Sequence, residues 1–87
     1  MFIILVYDIG EKRVGKILKI VRKYLYRVQN SVFEGEISDA NYRMLLLELL
    51  KKINKNEDSI ICYKFRTNNY IEKEIHGIDI NSQDIIL

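Results

Sequence analysis

The chain has 87 residues, 48% of them hydrophobic and 30% charged, which excludes a disordered chain and indicates a single domain over residues 1–87. Its one cysteine, Cys62, excludes an intrachain disulfide framework and a cysteine-rich zinc site, and predicts a reducing, cytoplasmic location. The net charge is +2, but residues 1–27 hold seven bases and two acids whereas residues 28–87 hold seven bases and ten acids, so a polyanion is expected to contact the N-terminal part first.

The first predicted element is a strand over residues 2–7. These residues lack the polar alternation of a half-exposed strand, so we expect the strand to lie centrally in a sheet with both faces covered. The apolar run over residues 1–6 is too short to span a membrane and has no basic region before it, so neither a membrane anchor nor a signal peptide is expected.

The second predicted element is a helix from Glu11 to about Tyr24. Its apolar residues recur at helical spacing, at Val14, Ile17, Leu18, Val21 and Leu25. Four lysines fall largely off this stripe: Lys12, Lys16, Lys19 and Lys23. The helix is therefore expected to pack one side on the sheet and to present a basic side outward, either as a nucleic-acid-binding surface or as an ordinary solvated face.

The segment 26–37 is rich in β-forming residues and is either one bent strand or two short strands, broken near Asn30-Ser31 or Glu34-Gly35. Ser38 and Asp39 supply an N-cap and a first-turn acid for a second helix. The apolar residues of that helix are Tyr42, Leu45, Leu46, Leu49 and Ile53. Two strands are expected after it, over residues 59–67 and 70–80, and a hydrophobic tail over residues 84–87.

This order predicts an α+β sandwich with two helices on one face of an antiparallel sheet. If the middle segment forms two strands, the first six elements are the ferredoxin-like βαββαβ arrangement, with an additional C-terminal strand. The opposite sheet face would be left uncovered. We therefore expect a homodimer with facing sheets, in which a C-terminal segment of about residues 78–87 packs on the partner subunit.

Asp8 follows the first strand directly and is the residue that most clearly suggests a chemical role. It either caps the next helix, although it stands early for a cap, or holds a hard cation such as Mg²⁺. One chain offers few other ligands nearby, whereas a two-fold dimer would supply two copies of Asp8. Such a metal would serve phosphodiester hydrolysis, with Arg13 and Arg27 binding phosphate oxygens. Phe33 would either pack in the core or stack on a base.

Several stretches together resemble a known family. They are VYDI at 6–9, the helix KRVGKILKIVRKYL, RVQNSVFEGEI at 27–37 and DSIICYKFR at 58–66. They are similar to the small CRISPR-associated endoribonuclease family, whose members accompany the integrase during spacer acquisition. The resemblance covers essentially the whole chain and implies a ferredoxin-like homodimer, Mg²⁺ at Asp8, and metal-dependent cleavage of single-stranded RNA or double-stranded DNA.

The resemblance also implies which residues form the site. Tyr7, Arg13, Arg27 and Phe33 match family positions associated with catalysis or nucleic-acid contact, and Ser31 in the SVF motif is a further candidate for nucleic-acid binding. A second function stays open, because family members also act as a noncatalytic dimer that bridges integrase subunits and contacts duplex DNA. In that role the basic helix matters more than Asp8, since phosphate neutralisation dominates nonspecific affinity.

Overall fold

The structure is a computed structural model that describes residues 1–67 and 71–80. Its elements are β1 (Phe2–Asp8), α1 (Glu11–Arg22), β2 (Tyr26–Gln29), β3 (Val32–Glu36), α2 (Asp39–Leu50) and β4 (Ser59–Phe65). The α+β class and the βαββαβ order are as predicted. The segment 26–37 forms two strands, and the break falls at Asn30-Ser31.

The four strands form one antiparallel sheet in the order β2-β3-β1-β4. The predicted central position of β1 is confirmed, because β1 pairs with β3 on one side and β4 on the other. Val6, for example, lies opposite Val32 and Ile61. The backbone of β1 is therefore hydrogen-bonded on both sides, which fixes the position of the residues at its end.

Both helices pack on the same face of the sheet. The core contains Ile3, Leu5 and Tyr7 from β1 and Phe33 from β3, with aliphatic residues of the helices packed over them: Ile17, Ile20, Val21, Leu45 and Leu49. Ser38 caps α2 as predicted, since its Oγ accepts a hydrogen bond from the Asn41 N–H at 3.1 Å. Within the described residues, no helix has the length and apolar character to cross a membrane.

As predicted, the helices leave the other face of β1 uncovered in the single chain, and its cover by a second copy stays a prediction. Phe2, Ile4 and Val6 alternate with the core residues and lie on the face opposite the helices, where they are only partly buried. Neighbouring Ile61 and Tyr63 on β4 are 49% and 53% exposed. We call this side of the sheet the open face.

The predicted strand at 70–80 is wrong for its described part, because no strand forms over residues 71–80. Instead of pairing with a strand edge, this segment contacts the open face and the β2–β3 turn. Lys73 Nζ lies 3.1 Å from Glu34 Oε1, and Ile78 and Ile80 line a pocket with residues 29–31. The predicted tail at 84–87 lies outside the described residues.

Candidate active site and nucleic-acid interface

The candidate site lies at the end of the sheet where β1 ends, β4 begins and a turn joins β2 to β3. Asp8 is the last residue of β1 and pairs with Ser59, the first residue of β4. On the other side, the Tyr7 backbone N–H donates to the Ser31 carbonyl in the turn at 3.1 Å. The fold therefore brings Asp8, Tyr7 and Ser31 to one end of the sheet.

The Asp8 side chain is exposed on the open face. Its carboxylate has no hydrogen-bond or ion-pair partner among residues 1–67 and 71–80. The capping alternative for Asp8 is wrong, because Gly10 holds the N-cap position of α1 and no side chain caps that helix. The carboxylate is thus free to bind an external group.

The surroundings of Asp8 limit how a metal can bind. No group of three or more His, Cys, Asp or Glu side chains converges anywhere in the part of the chain that the structure describes. A magnesium ion needs only one or two protein carboxylates, because water and substrate phosphate oxygens complete its octahedron. Asp8 has the oxygen donors that such an ion prefers, and it is not part of a group of three or more metal-binding side chains within the described residues.

Tyr7 and Arg27 both bind the β2–β3 turn. The Tyr7 hydroxyl donates to the Asn30 carbonyl at 2.9 Å, and Arg27 donates from Nη2 to the same carbonyl at 3.1 Å and from Nε to the Gln29 carbonyl at 3.3 Å. Burial raises the pKa of Tyr7, an effect that the positive charges of Arg27 and Arg22 oppose. Tyr7 is therefore a neutral hydrogen-bond donor whose ring points away from Asp8, into the core.

Phe33 lies in the hydrophobic core. Its side chain is fully buried, and its ring centroid is 6.2 Å from that of Tyr7. Of the two alternatives for Phe33, the structure therefore shows packing in the core. Stacking on a base would require the side chain to leave the core.

Arg13 binds two carboxylates. It donates from Nε to Asp58 Oδ2 at 2.6 Å, and from Nη2 to Asp58 Oδ1 and to Glu57 Oε2, each at 2.9 Å. The Asp58 side chain is fully buried and also accepts from the backbone N–H groups of Gly10 and Asn54, each at 2.8 Å. We call this group of Asp58, Arg13, Gly10 and Asn54 the Asp58 clamp.

The electrostatics of the clamp follow from these contacts. The Arg13 guanidinium, aided by the Asn54 and Gly10 N–H donors and opposed by burial, holds the pKa of the Asp58 carboxyl well below its usual range. Asp58 is therefore an anion throughout the physiological pH range. Arg13 in turn carries a positive charge that two carboxylates neutralise.

The basic side of α1 is exposed as predicted. Lys12, Lys16 and Lys19 have no ion-pair partner within the described ranges. Lys23 differs, because it pairs with Glu48 on α2, which also accepts a hydrogen bond from the Tyr24 hydroxyl at 2.6 Å. Three of the four predicted lysines thus present uncompensated charge, and the fourth joins the two helices.

Comparison with known proteins identifies the family. The family model described as "CRISPR associated protein Cas2" matches residues 1–73. The chain belongs to the Cas2 family. This confirms the resemblance found in the sequence motifs.

Relatives and solved Cas2 structures are similar to this chain over most or all of its length. A protein named "CRISPR-associated endoribonuclease Cas2" from Dictyoglomus turgidum is 47% identical over the whole of both chains, and one of the same name from Thermotoga maritima is 48% identical over 91% of each. The structure titled "Crystal structure of cas2" superposes with a TM-score of 0.84 at 36% identity, covering 92% of this chain and 90% of the other. Cas2 from Streptococcus pyogenes gives a TM-score of 0.73 at 29% identity, covering 85% and 99%.

In this Cas2 chain, the predicted site residues fall into two groups. Tyr7 and Arg27 bind the β2–β3 turn that contains Ser31, and Asp8 lies at the adjacent end of β1 with its side chain on the open face, opposite to Tyr7 and Arg27. Arg13 and Phe33 are engaged elsewhere, in the clamp and in the core. Asp58 was not predicted from the sequence, although its place immediately before an apolar strand is a signal, since an acid that is buried there requires compensating partners.

Proposed function

We propose that this Cas2 chain is a homodimeric, Mg²⁺-dependent endonuclease that hydrolyses phosphodiester bonds in single-stranded RNA or double-stranded DNA during CRISPR adaptation and antiviral defence. The observation that carries the proposal is Asp8, an exposed carboxylate without a partner in the described residues, held at the end of a central strand. Relatives that share up to 48% of its residues are named endoribonucleases, which supports RNA as a substrate.

The open face supports a dimer. Phe2, Ile4 and Val6 on β1 continue into an apolar row on β4: Ile61, Tyr63 and Phe65. A second copy whose sheet faces this one, in a ferredoxin-like homodimer, would bury both rows. Because a two-fold interface uses the same patch twice, it would bring two copies of Asp8 to one side of the interface. Residues 78–87 are proposed to pack on the partner subunit.

The roles of the site residues follow from their contacts. Asp8 would hold the metal, which when bound supplies positive charge for the phosphate and lowers the pKa of a bound water. Arg27 donates only to carbonyl oxygens, so no carboxylate of the described residues neutralises its charge, and it is available to a nonbridging phosphate oxygen. Tyr7 fixes the turn that carries Ser31, and Ser31 would contact the nucleic acid from there.

Replacing Asp8 tests the catalytic assignment. Asp8→Asn keeps the size of the side chain but removes the charge that binds the metal. We expect cleavage of RNA and duplex DNA to fall by about 100-fold or more, as for the loss of a group that acts in the transition state. Activity of the unaltered protein should disappear with EDTA and return with Mg²⁺. The matched control, Asp39→Asn, removes an exposed carboxylate on α2 and should cleave normally. Full activity of Asp8→Asn would refute the assignment.

A second candidate function is a noncatalytic dimeric scaffold that bridges integrase subunits and binds DNA during spacer acquisition. The uncompensated Lys12, Lys16 and Lys19 on α1 favour it, because they form a charged row on the face of the helix that points away from the sheet. Such a surface binds phosphates irrespective of sequence. The scaffold does not require Asp8 to bind a metal.

Neutralising the row tests the second function. We combine Lys12→Gln, Lys16→Gln and Lys19→Gln in one variant. If all three lysines contact phosphates, the plot of log binding constant for duplex DNA against log salt concentration should become less steep by about 2.7. The control replaces Lys51, Lys52 and Lys55, which are also exposed, by Gln, which changes the net charge by the same amount. Equal slopes for the two triple variants would remove α1 from the DNA-binding surface.

A further inference from the structure

We infer that Arg13 and Asp58 are positioning residues that hold Asp8 in place, and that Arg13 does not bind the substrate. The inference rests on the proposed nuclease function of Asp8. It assigns a role to Asp58 and changes the role that the sequence suggested for Arg13.

The clamp joins three separate parts of the chain. The buried Asp58 carboxylate accepts from Gly10 in the β1–α1 connection, from Arg13 in the first turn of α1, and from Asn54 in the α2–β4 connection. Four donors on one carboxylate leave little of its hydrogen-bonding capacity unused. These three segments therefore cannot shift relative to one another without breaking charged hydrogen bonds.

Asp8 lies between two points that the clamp holds. Gly10 follows it by two residues, and its pairing partner Ser59 follows Asp58 directly. The Asp8 side chain has no partner of its own in the described residues, so the backbone alone sets the position of its carboxylate. The clamp thus fixes the backbone that follows Asp8 and the backbone next to its pairing partner.

The guanidinium of Arg13 is enclosed by the clamp. A Cβ atom added at Gly10 would lie 2.5 Å from Arg13 Nη2 and 3.4 Å from Asp58 Oδ1, so a side chain at position 10 would displace the guanidinium from its present place. The Arg13 side chain is 23% exposed. A phosphate would have to displace Asp58 to reach its Nε and Nη2.

Charge also opposes substrate binding at Arg13. Asp58 and Glu57 together place two negative charges against its single positive charge, so the local sum is negative and repels a phosphate. Arg27 has no carboxylate partner in the described chain. Of the two predicted arginines, only Arg27 has the charge environment of a phosphate ligand.

Steady-state kinetics on three variants test the inference. Asp58→Asn removes the negative charge of the clamp. Arg13→Lys keeps the positive charge but loses the planar guanidinium group that donates two hydrogen bonds to Asp58. Below the unfolding temperature, we expect each to lower kcat by about 10- to 100-fold, because a displaced catalytic group costs that much, with KM for RNA changed by less than about twofold. The Mg²⁺ concentration for half-maximal rate should rise in both. The double variant should be no slower than the slower single variant, since both changes break one unit.

Glu57→Gln is the matched control. It removes a carboxylate that contacts the same arginine but does not reach Gly10, and its side chain is 64% exposed. We expect normal kcat, KM and Mg²⁺ dependence, as exposed ion pairs contribute little. If Asp58→Asn does not fold, Gly10→Ala displaces the guanidinium without changing any charge and should lower kcat in the same way. Unchanged kcat in Asp58→Asn, or a raised KM with normal kcat in Arg13→Lys, would overturn the inference.

A measurement without cleavage separates this inference from the proposed function. Mn²⁺ added to ¹⁵N-labelled protein should broaden the amide signals of residues 8–10 in the unaltered chain, and should do so at higher Mn²⁺ concentration in Asp58→Asn. A chain that binds Mn²⁺ in this way but cleaves neither RNA nor DNA would refute the nuclease function and leave the positioning role supported. Identical broadening in both proteins would overturn the positioning role.

Discussion

Two aspartates at the same end of the sheet have opposite environments. Asp8 is exposed and its side chain makes no hydrogen bond or ion pair within the described residues, whereas Asp58 is buried and accepts four hydrogen bonds. Burial of a charge is tolerated only where donors and a counter-charge compensate it, so Asp58 belongs to the framework. An exposed carboxylate without such partners keeps its ligand capacity for an external cation.

The sequence predicts one of these roles and not the other. Asp8 follows a recognisable apolar strand, so its position is apparent from local pattern. The partners of Asp58 in α1 and its preceding loop are 45 and 48 residues away along the chain, and no periodicity connects them. The same separation explains why Arg13 was predicted to bind phosphate: its charge is visible in the sequence, but the carboxylates that neutralise it are not.

Phe33 provides a prediction at the scale of one residue. Because its ring is fully buried, Phe33→Ala should lower the free energy of unfolding by about 3–5 kcal/mol. Tyr26→Ala, at an aromatic residue that is 73% exposed on the adjacent strand, should change it by less than about 0.5 kcal/mol. Urea unfolding measures both. A Phe33→Ala protein of normal stability that has lost RNA binding would restore the base-stacking role.

At the scale of elements, the pattern of hydrophobic residues was sufficient to predict the two helices and the strands β1 and β4. The division of residues 26–37 was left open because Asn30-Ser31 is not a strong hairpin signal. The structure shows what holds this turn: Tyr7 from β1 and the Arg27 guanidinium both donate to its Asn30 carbonyl, and the strand pairing is irregular between Arg27 and Gln29. The Tyr7 contact spans 23 residues, so the local sequence could not reveal it.

Residues 71–80 show a second limit of element prediction. The isoleucines at positions 71, 75 and 78 suggested a strand, but a strand exists only where its backbone can pair with a neighbour. In the single chain, this segment makes side-chain contacts instead, including Lys73 with Glu34 on the open face. Whether a chain segment forms a strand thus depends on its surroundings as well as on its own sequence.

At the scale of the whole molecule, apolar surface is distributed over two sides. The open face includes Ile61 and Tyr63, at 49% and 53% exposure, and the outer side of α2 includes Leu50 and Met44, at 49% and 54%. The open face is a continuous part of the central sheet and carries Asp8, whereas α2 already covers the core with its other side. We therefore place the proposed dimer interface on the open face.

These two pairs of residues allow a matched test of the interface. Ile61→Glu with Tyr63→Glu would place two charges from each subunit in the proposed interface, where like charges repel and lose hydration. We expect sedimentation equilibrium to show a monomer at concentrations where the unaltered chain is a dimer, and Mg²⁺-dependent cleavage to be lost with it, because each site then has one Asp8. Leu50→Glu with Met44→Glu makes the same chemical change at equal exposure on α2 and should remain an active dimer. A dimeric Ile61→Glu, Tyr63→Glu protein would exclude the facing-sheet interface, and an active monomer would show that one Asp8 is enough for catalysis.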